Sequence, residues 1–208
     1  IEVYVDGSAL ERAGFMRAGW GVVAVFVDGL LKTIIYRCCA PICTNRKASE
    51  YLGAEDATNN TGELGAQYDA HVWGIGFASS YRIPMIILYD STFAYSVSVG
   101  KYSACTSREI AARLRGVTSA HMEKRDQLAF KHVRGHAGVE YNELVDTTAK
   151  LGATEECRTE WRLHPHPLHL LDSVFPGSSP EATRAADSPR VSTSYSMQDD
   201  KVAEETQG

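Results

Sequence analysis

Three runs of strand-forming residues lie within the first 37 positions with only turns between them, and that spacing limits the fold more than any other feature of the chain. Val3 and Val5 alternate with Glu2 and Tyr4, and Asp6-Gly7-Ser8 then reads as a break. Trp20 to Val27 is apolar and β-branched, and Asp28-Gly29 carries the signal of a tight hairpin. Leu31 to Arg37 resumes the strand pattern. Three strands joined by short turns argue for an antiparallel meander.

The period then changes. Between Thr61 and about Ser80, Leu64, Tyr68, Val72 and Ile75 share one helical face, and Ile83-Pro84 ends the pattern. Met85 to Tyr89 reads as a buried parallel strand, 91–127 as helix in pieces, and Leu128 to Val133 as a fifth strand. Asn142 to Ala153 reads as a last helix with Gly152 near its end. The implied fold class is α/β: a mixed five-stranded sheet, three antiparallel strands then parallel strands, with helices on both faces. Near residue 154 the composition shifts to His164-Pro165-His166-Pro167, Ser178-Ser179-Pro180 and Ser188-Pro189. Residues 1–153 are therefore expected as one domain. Residues 154–208 are expected as an acidic, Pro- and Ser-containing tail, disordered from about residue 160 except where Leu163 to Phe175 docks locally.

The net charge of −5 argues against a nucleic-acid partner until it is divided. The tail holds 5 basic and 10 acidic residues, which leaves 16 of each in residues 1–153. If four of those acids hold metal, the remaining surface is positive, which permits phosphate binding. No apolar run is long enough to span a bilayer and no secretory leader is evident, so no membrane partner is expected. Five cysteines without a Cys-x-x-Cys pair indicate neither a disulfide framework nor a zinc site, and a reducing, intracellular setting is expected. A first residue of Ile within a strand pattern leads us to expect a piece of a longer polypeptide.

Four acids fall where this fold would gather them. Asp6 ends the first strand, Glu63 lies in the first turn of the long helix, Asp90 ends the fourth strand, and Asp146 is one turn into the last helix. Ligand sites in open α/β sheets collect at strand ends. Clustered carboxylates repel unless a cation lies between them, and hard oxygen donors select Mg²⁺ or Mn²⁺. Each acid also has an ordinary reading. Asp6 suits a turn, Asn60-Thr61-Gly62-Glu63 resembles a capping box with Asn60 as the cap, Asp90-Ser91 suits a helix cap, and Asp146 suits a solvated face.

The local sequences around these acids form a series. Tyr4-Val5-Asp6-Gly7-Ser8, Thr58-Asn59-Asn60-Thr61-Gly62-Glu63-Leu64, Leu88-Tyr89-Asp90-Ser91, Val133-Arg134-Gly135-His136-Ala137-Gly138 and Asn142-Glu143-Leu144-Val145-Asp146 resemble the motifs of type 1 ribonuclease H, in that family's order. The last is most similar to ribonuclease H domains of retroelement reverse-transcriptase polyproteins. The resemblance covers about residues 1–153. It implies a ribonuclease H-like fold and an endonuclease that cuts the RNA strand of RNA–DNA hybrids with two Mg²⁺ ions, Mn²⁺ substituting, leaving 5′-phosphate and 3′-hydroxyl ends. It implies that Asp6, Glu63, Asp90 and Asp146 bind metal, that His136 assists proton transfer or product release, and that Asn59, Asn60, Ser91 and Asn142 contact substrate. An upstream reverse transcriptase domain and a monomeric isolated domain are expected with it.

Two features depart from the family pattern. Thr92 stands where a longer side chain often touches RNA, and 91–127 lacks the Trp- and Lys-rich protrusion of some members, although it keeps six basic residues against three acids. A transposase or integrase acting on DNA, and a non-catalytic remnant of a retroelement polyprotein, are the alternatives; the Asn59-Asn60 pair opposes the first, and retention of all four acids the second.

Overall fold

The structure is a computed structural model and describes residues 1–124, 128–135 and 138–154. The tail from residue 155, and with it the disorder expected there, lies outside the described residues. The strands are β1 (Glu2–Arg12), β2 (Phe15–Asp28), β3 (Leu31–Pro41), β4 (Met85–Tyr89) and β5 (Leu128–His132). The helices are α1 (Asn59–Ser80), α2 (Thr92–Ser98), α3 (Arg108–Lys124) and α4 (Glu140–Thr154). The five strands form one mixed sheet, as expected, and their order is β3-β2-β1-β4-β5. The first three pair antiparallel and the last two add in parallel.

One expectation about β1 is corrected. Asp6-Gly7-Ser8 is not a break: β1 runs on to Arg12, and the reversal comes at Ala13 and Gly14, both at positive φ. The pairing of Glu2–Tyr4 with Ile86–Leu88 nevertheless stops before Asp6. Asp6 therefore lies within its own strand but beyond the end of the neighbouring ladder.

Side-chain alternation divides the core into two faces. Val3, Val5, Val22, Ala24, Ile87 and the α1 residues Ala66, Ala70, Trp73 and Phe77 fill one side. Tyr4, Val23, Val25 and Leu88 pack with Val145 of α4 on the other. A third cluster, Leu64, Ala94, Val97, Ile110 and Leu114, joins α1 to α2 and α3. Each large side chain fully buried in these clusters contributes about 1.5–3 kcal/mol.

Close approach of the helices depends on missing side chains. A Cβ at Gly7 would lie 2.2 Å from the Glu63 amide nitrogen, and one at Gly19 would lie 2.0 Å from that of Ala153. Any side chain at Gly7 would thus push the start of α1 off β1, and with it Glu63.

The apolar face expected for α1 is also corrected. Val72 is 45% exposed, whereas Gln67, His71 and Phe77 are fully buried. α1 is covered on two sides, by the sheet and by α3, so its single expected stripe is not the only one that packs.

Candidate active site

The elements deliver three of the expected acids to one point. Carboxylate oxygens of Asp6, Glu63 and Asp90 all lie within 4.8 Å of one another. Asp6 comes from the part of β1 that β4 no longer covers, and Asp90 directly follows β4. Glu63 arrives from α1, whose backbone rests against Gly7.

The start of α1 explains how Glu63 becomes available. The N-cap is Thr58, not Asn60, and the reciprocal capping partner is Thr61. Thr61 Oγ1 accepts from the Thr58 amide at 2.9 Å, and Thr58 Oγ1 accepts from the Thr61 amide at 3.2 Å. Glu63 therefore falls beyond the first turn rather than within it, and its carboxylate is not used for capping. Asn59 Nδ2 donates to Glu63 Oε1 at 3.5 Å from an exposed position beside the cluster. Asn60 is likewise exposed.

The electrostatics are unfavourable without a cation. Two charges 4.8 Å apart repel by roughly 3–4 kcal/mol at an effective dielectric constant of 20. Burial, then the charges of Asp90 and Asp146, push the Asp6 carboxyl up to about 7. Burial, then the charges of Asp6 and Asp90, push Glu63 well above the usual carboxylate range. The Gly7 N–H donates to both carboxylates and lowers both, but the net direction remains upward. An all-oxygen donor set, crowded and held partly protonated by its own repulsion, fits a hard divalent cation.

Asp146 stands at the edge of this group. It follows Val145 on α4, on the same face of the sheet as Asp6, and its charge is felt at Asp6. Its Oδ2 accepts from Lys150 Nζ at 2.6 Å, one helical turn on. Lys150 was not among the residues singled out in the sequence, although its i,i+4 spacing from Asp146 signals such a pair.

The remaining expected residues are dispersed. Ser91 is the N-cap of α2, with its hydroxyl accepting from the Ala94 amide at 3.2 Å. Asn142 is 4% exposed within the first turn of α4. His136 lies outside the described residues. Its neighbour Gly135 lies against the cluster, since a Cβ there would sit 2.9 Å from Asp90 Oδ2. His132 Nε2 lies 3.3 Å from the Asp90 carbonyl oxygen.

The RNase H family model matches residues 1–154. No curated protein sequence matches the chain. Among solved structures, RNase H1 from the halophilic archaeon Halobacterium salinarum is 21% identical with a TM-score of 0.52, over 74% of this chain and 97% of that one. LC11-RNase H1 in complex with an RNA/DNA hybrid is 19% identical with a TM-score of 0.53, over 74% and 97%. The foamy viral protease-reverse transcriptase in complex with an RNA/DNA hybrid is 16% identical with a TM-score of 0.53, over 73% of this chain and 20% of that one. At these identities the structures show a shared fold.

Proposed function

The chain belongs to the RNase H family, and on that premise we propose that it is a divalent-metal-dependent endonuclease that hydrolyses the RNA strand of RNA–DNA hybrids. The observation that carries this reading is the convergence of Asp6, Glu63 and Asp90 oxygens within 4.8 Å on a site that burial and mutual repulsion leave short of positive charge. Two fold neighbours were solved with RNA/DNA hybrid, which supports the same substrate class here.

In this reading Asp6, Glu63, Asp90 and Asp146 hold two Mg²⁺ ions, with Mn²⁺ able to substitute. Bound there, such ions would supply Lewis acidity to phosphodiester hydrolysis, and the products we propose carry 5′-phosphate and 3′-hydroxyl ends. The chain itself supplies position. The Gly7 amide fixes two of the carboxylates, and the cap at Thr58 fixes the register of α1 beneath Glu63. Asn59 and Asn60, exposed beside the cluster, offer amides to base edges and 2′-hydroxyls in the minor groove, the groups that distinguish RNA from DNA. Ser91 can donate its hydroxyl proton to substrate while it accepts from Ala94. For Asn142, burial favours a role in holding α4 beside the cluster over direct contact with the hybrid. His136 follows Gly135, which lies against Asp90, and that supports a part in proton transfer. The match to a segment of a foamy viral protease-reverse transcriptase supports an upstream reverse transcriptase domain as the natural context. No helix among the described residues is long and apolar enough to cross a membrane.

The test is incubation of the chain with end-labelled RNA–DNA hybrid, DNA duplex and RNA duplex, each with Mg²⁺ or with chelator. The expected result is Mg²⁺-dependent cutting of the RNA strand of the hybrid alone, with ligatable 3′-hydroxyl ends. Cutting of the DNA duplex, or equal cutting in chelator, contradicts the proposal.

A further inference from the structure

Beyond the acids the sheet continues as two strands only. β4 pairs with β1 no further than Tyr4, and β3 pairs with β2 no further than Gly19, opposite Pro41. β1 and β2 go on pairing with each other, with Leu10 opposite Arg17, Glu11 opposite Met16 and Arg12 opposite Phe15. The ribbon closes at Ala13 and Gly14, whose φ values of 53° and 78° are those of a tight two-residue hairpin turn. Residues 11–16 are all exposed.

Alternation along the strands sorts these residues by face. In β1, Tyr4 packs with Val145 on the α4 side, while Val3 and Val5 pack on the α1 side. Continuous pairing carries that sorting to the tip: Asp6, Leu10 and Arg12 share the α4 side, and Phe15 and Arg17 join them from the opposite strand. Glu11 and Met16 take the other side. The aromatic ring and the arginine of the tip thus stand side by side on the face that bears Asp6, and the one acid there is turned away. Phe15 is 73% exposed, so it adds nothing to the core. Arg12 is six residues beyond Asp6, roughly 20 Å along the strand at about 3.3 Å per residue.

Arg12 suits any nucleic acid, because every form of it carries phosphate. Phe15 is more selective. Bases paired and stacked inside a duplex hide their faces, whereas an unpaired base offers one to an aromatic ring. We propose that the β1–β2 ribbon binds single-stranded nucleic acid that continues from the hybrid, with Phe15 stacked on an unpaired base and Arg12 on a neighbouring phosphate. At about 3.4 Å per nucleotide, that contact falls roughly six nucleotides from the acids. The inference rests on the substrate class proposed above and not on hydrolysis.

The experiment is fluorescence anisotropy on the whole chain in chelator, so that nothing is cut. The probes are a blunt RNA–DNA hybrid and the same hybrid with an oligothymidine extension at one end or the other. One of the extensions is expected to tighten binding about tenfold, the scale of one stacked base. Phe15→Ser should abolish that gain and Phe15→Trp should keep it. Arg12→Gln should weaken the extended hybrid and reduce the slope of log affinity against log salt by roughly 0.7, the value for one single-strand phosphate. Both positions are exposed, so the variants should melt at the wild-type temperature. A wild type that binds the blunt hybrid but gains nothing from either extension overturns this inference alone. One that binds neither probe overturns it together with the substrate class. A Phe15→Ser protein that keeps the gain, or loses as much on the blunt hybrid as on the extended one, also overturns it.

Discussion

α1 carries two buried polar clusters that differ in one respect. On its sheet side, Glu63 meets Asp6 and Asp90. Elsewhere on the helix, His71 meets His121 of α3, and both are fully buried. The histidines settle their contact internally: their Nδ1 atoms are 2.9 Å apart, one donating and the other accepting, with the rings edge to face. The acids can do the same only by keeping a proton, as in the side-chain hydrogen bond between Glu63 and Asp6, because carboxylates that are all ionised have only acceptors to offer one another. The histidine pair holds together without a charge, although His71 Nε2 and both amide atoms of Gln67 are buried without a hydrogen-bond partner among the described residues, whereas a like-charged group stays unfavourable until a cation joins it.

Removing one charge from the acids gives the largest expected effect. Glu63→Gln is expected to lower hybrid cleavage by at least about a hundred- to thousandfold, since metal-based charge stabilisation is worth several kcal/mol. The same variant should melt higher than wild type without metal at pH high enough to ionise Glu63, because one repelling charge is then gone. A Glu63→Gln protein that cuts normally, or melts lower in chelator, would erase the contrast between the clusters.

The complementary change at the neutral cluster should act on stability alone. His71→Leu leaves His121 Nδ1 facing an apolar side chain and is expected to cost about 1–3 kcal/mol in urea unfolding. Mg²⁺ affinity and cleavage per folded molecule should be unchanged. A loss of Mg²⁺ binding would mean that the two clusters are one functional unit.

pH should pull the clusters in opposite directions. Asp6 has its folded value raised to about 7, so the folded state holds its proton longer than the unfolded one does. Its contribution to stability is present below the ordinary carboxylate range and is lost as pH rises through about 7. Glu63 is shifted the same way. His71 is lowered to about 3, by burial first and by His121 second. The unfolded state therefore binds protons first, and stability falls as pH drops from the ordinary histidine range toward about 3. Thermal melts across pH in chelator should show loss on both limbs, and saturating Mg²⁺ should remove only the upper one. A lower limb that responded to Mg²⁺ while the upper did not would reverse the assignment.

The smallest effect is expected at Lys150. Its ammonium holds Asp146 and lies in the field of Asp6, so it competes with any metal for that edge of the site. Lys150→Met should tighten Mg²⁺ by a few-fold, the scale of an exposed ion pair. Weaker Mg²⁺ binding by calorimetry would show that the lysine supports the metal site.

Legibility in the sequence followed the range of the interactions. The hairpin at Asp28-Gly29 and the runs Trp20–Val27 and Met85–Tyr89 depend on local turn chemistry and side-chain type, and the structure has them as expected. Each of the four acids stands in its own short motif, and three of them, Asp6, Glu63 and Asp90, come together. What was misread depends on distant partners. Asp6-Gly7-Ser8 has the composition of a turn, but eleven residue pairs with β2 hold it in a strand. Asn60 is as good a cap as Thr58, and the choice falls to Thr58 because Thr61 closes the reciprocal pair and bonds back to the Asp56 carbonyl. The inward face of α1 is set by α3 as much as by the sheet, which no single period in α1 reveals.

The most direct test of the metal-ligand assignment is Asp90→Asn. Its side chain reaches the acid cluster from just beyond β4, and Asn preserves size while removing charge. Cleavage of one labelled hybrid, Mg²⁺ affinity, hybrid binding and thermal melting are measured on the same samples of wild type and variant. The account predicts a folded variant that binds hybrid, melts no lower than wild type in chelator, holds Mg²⁺ more weakly and does not cut. A folded Asp90→Asn protein that cuts at the wild-type rate would contradict it.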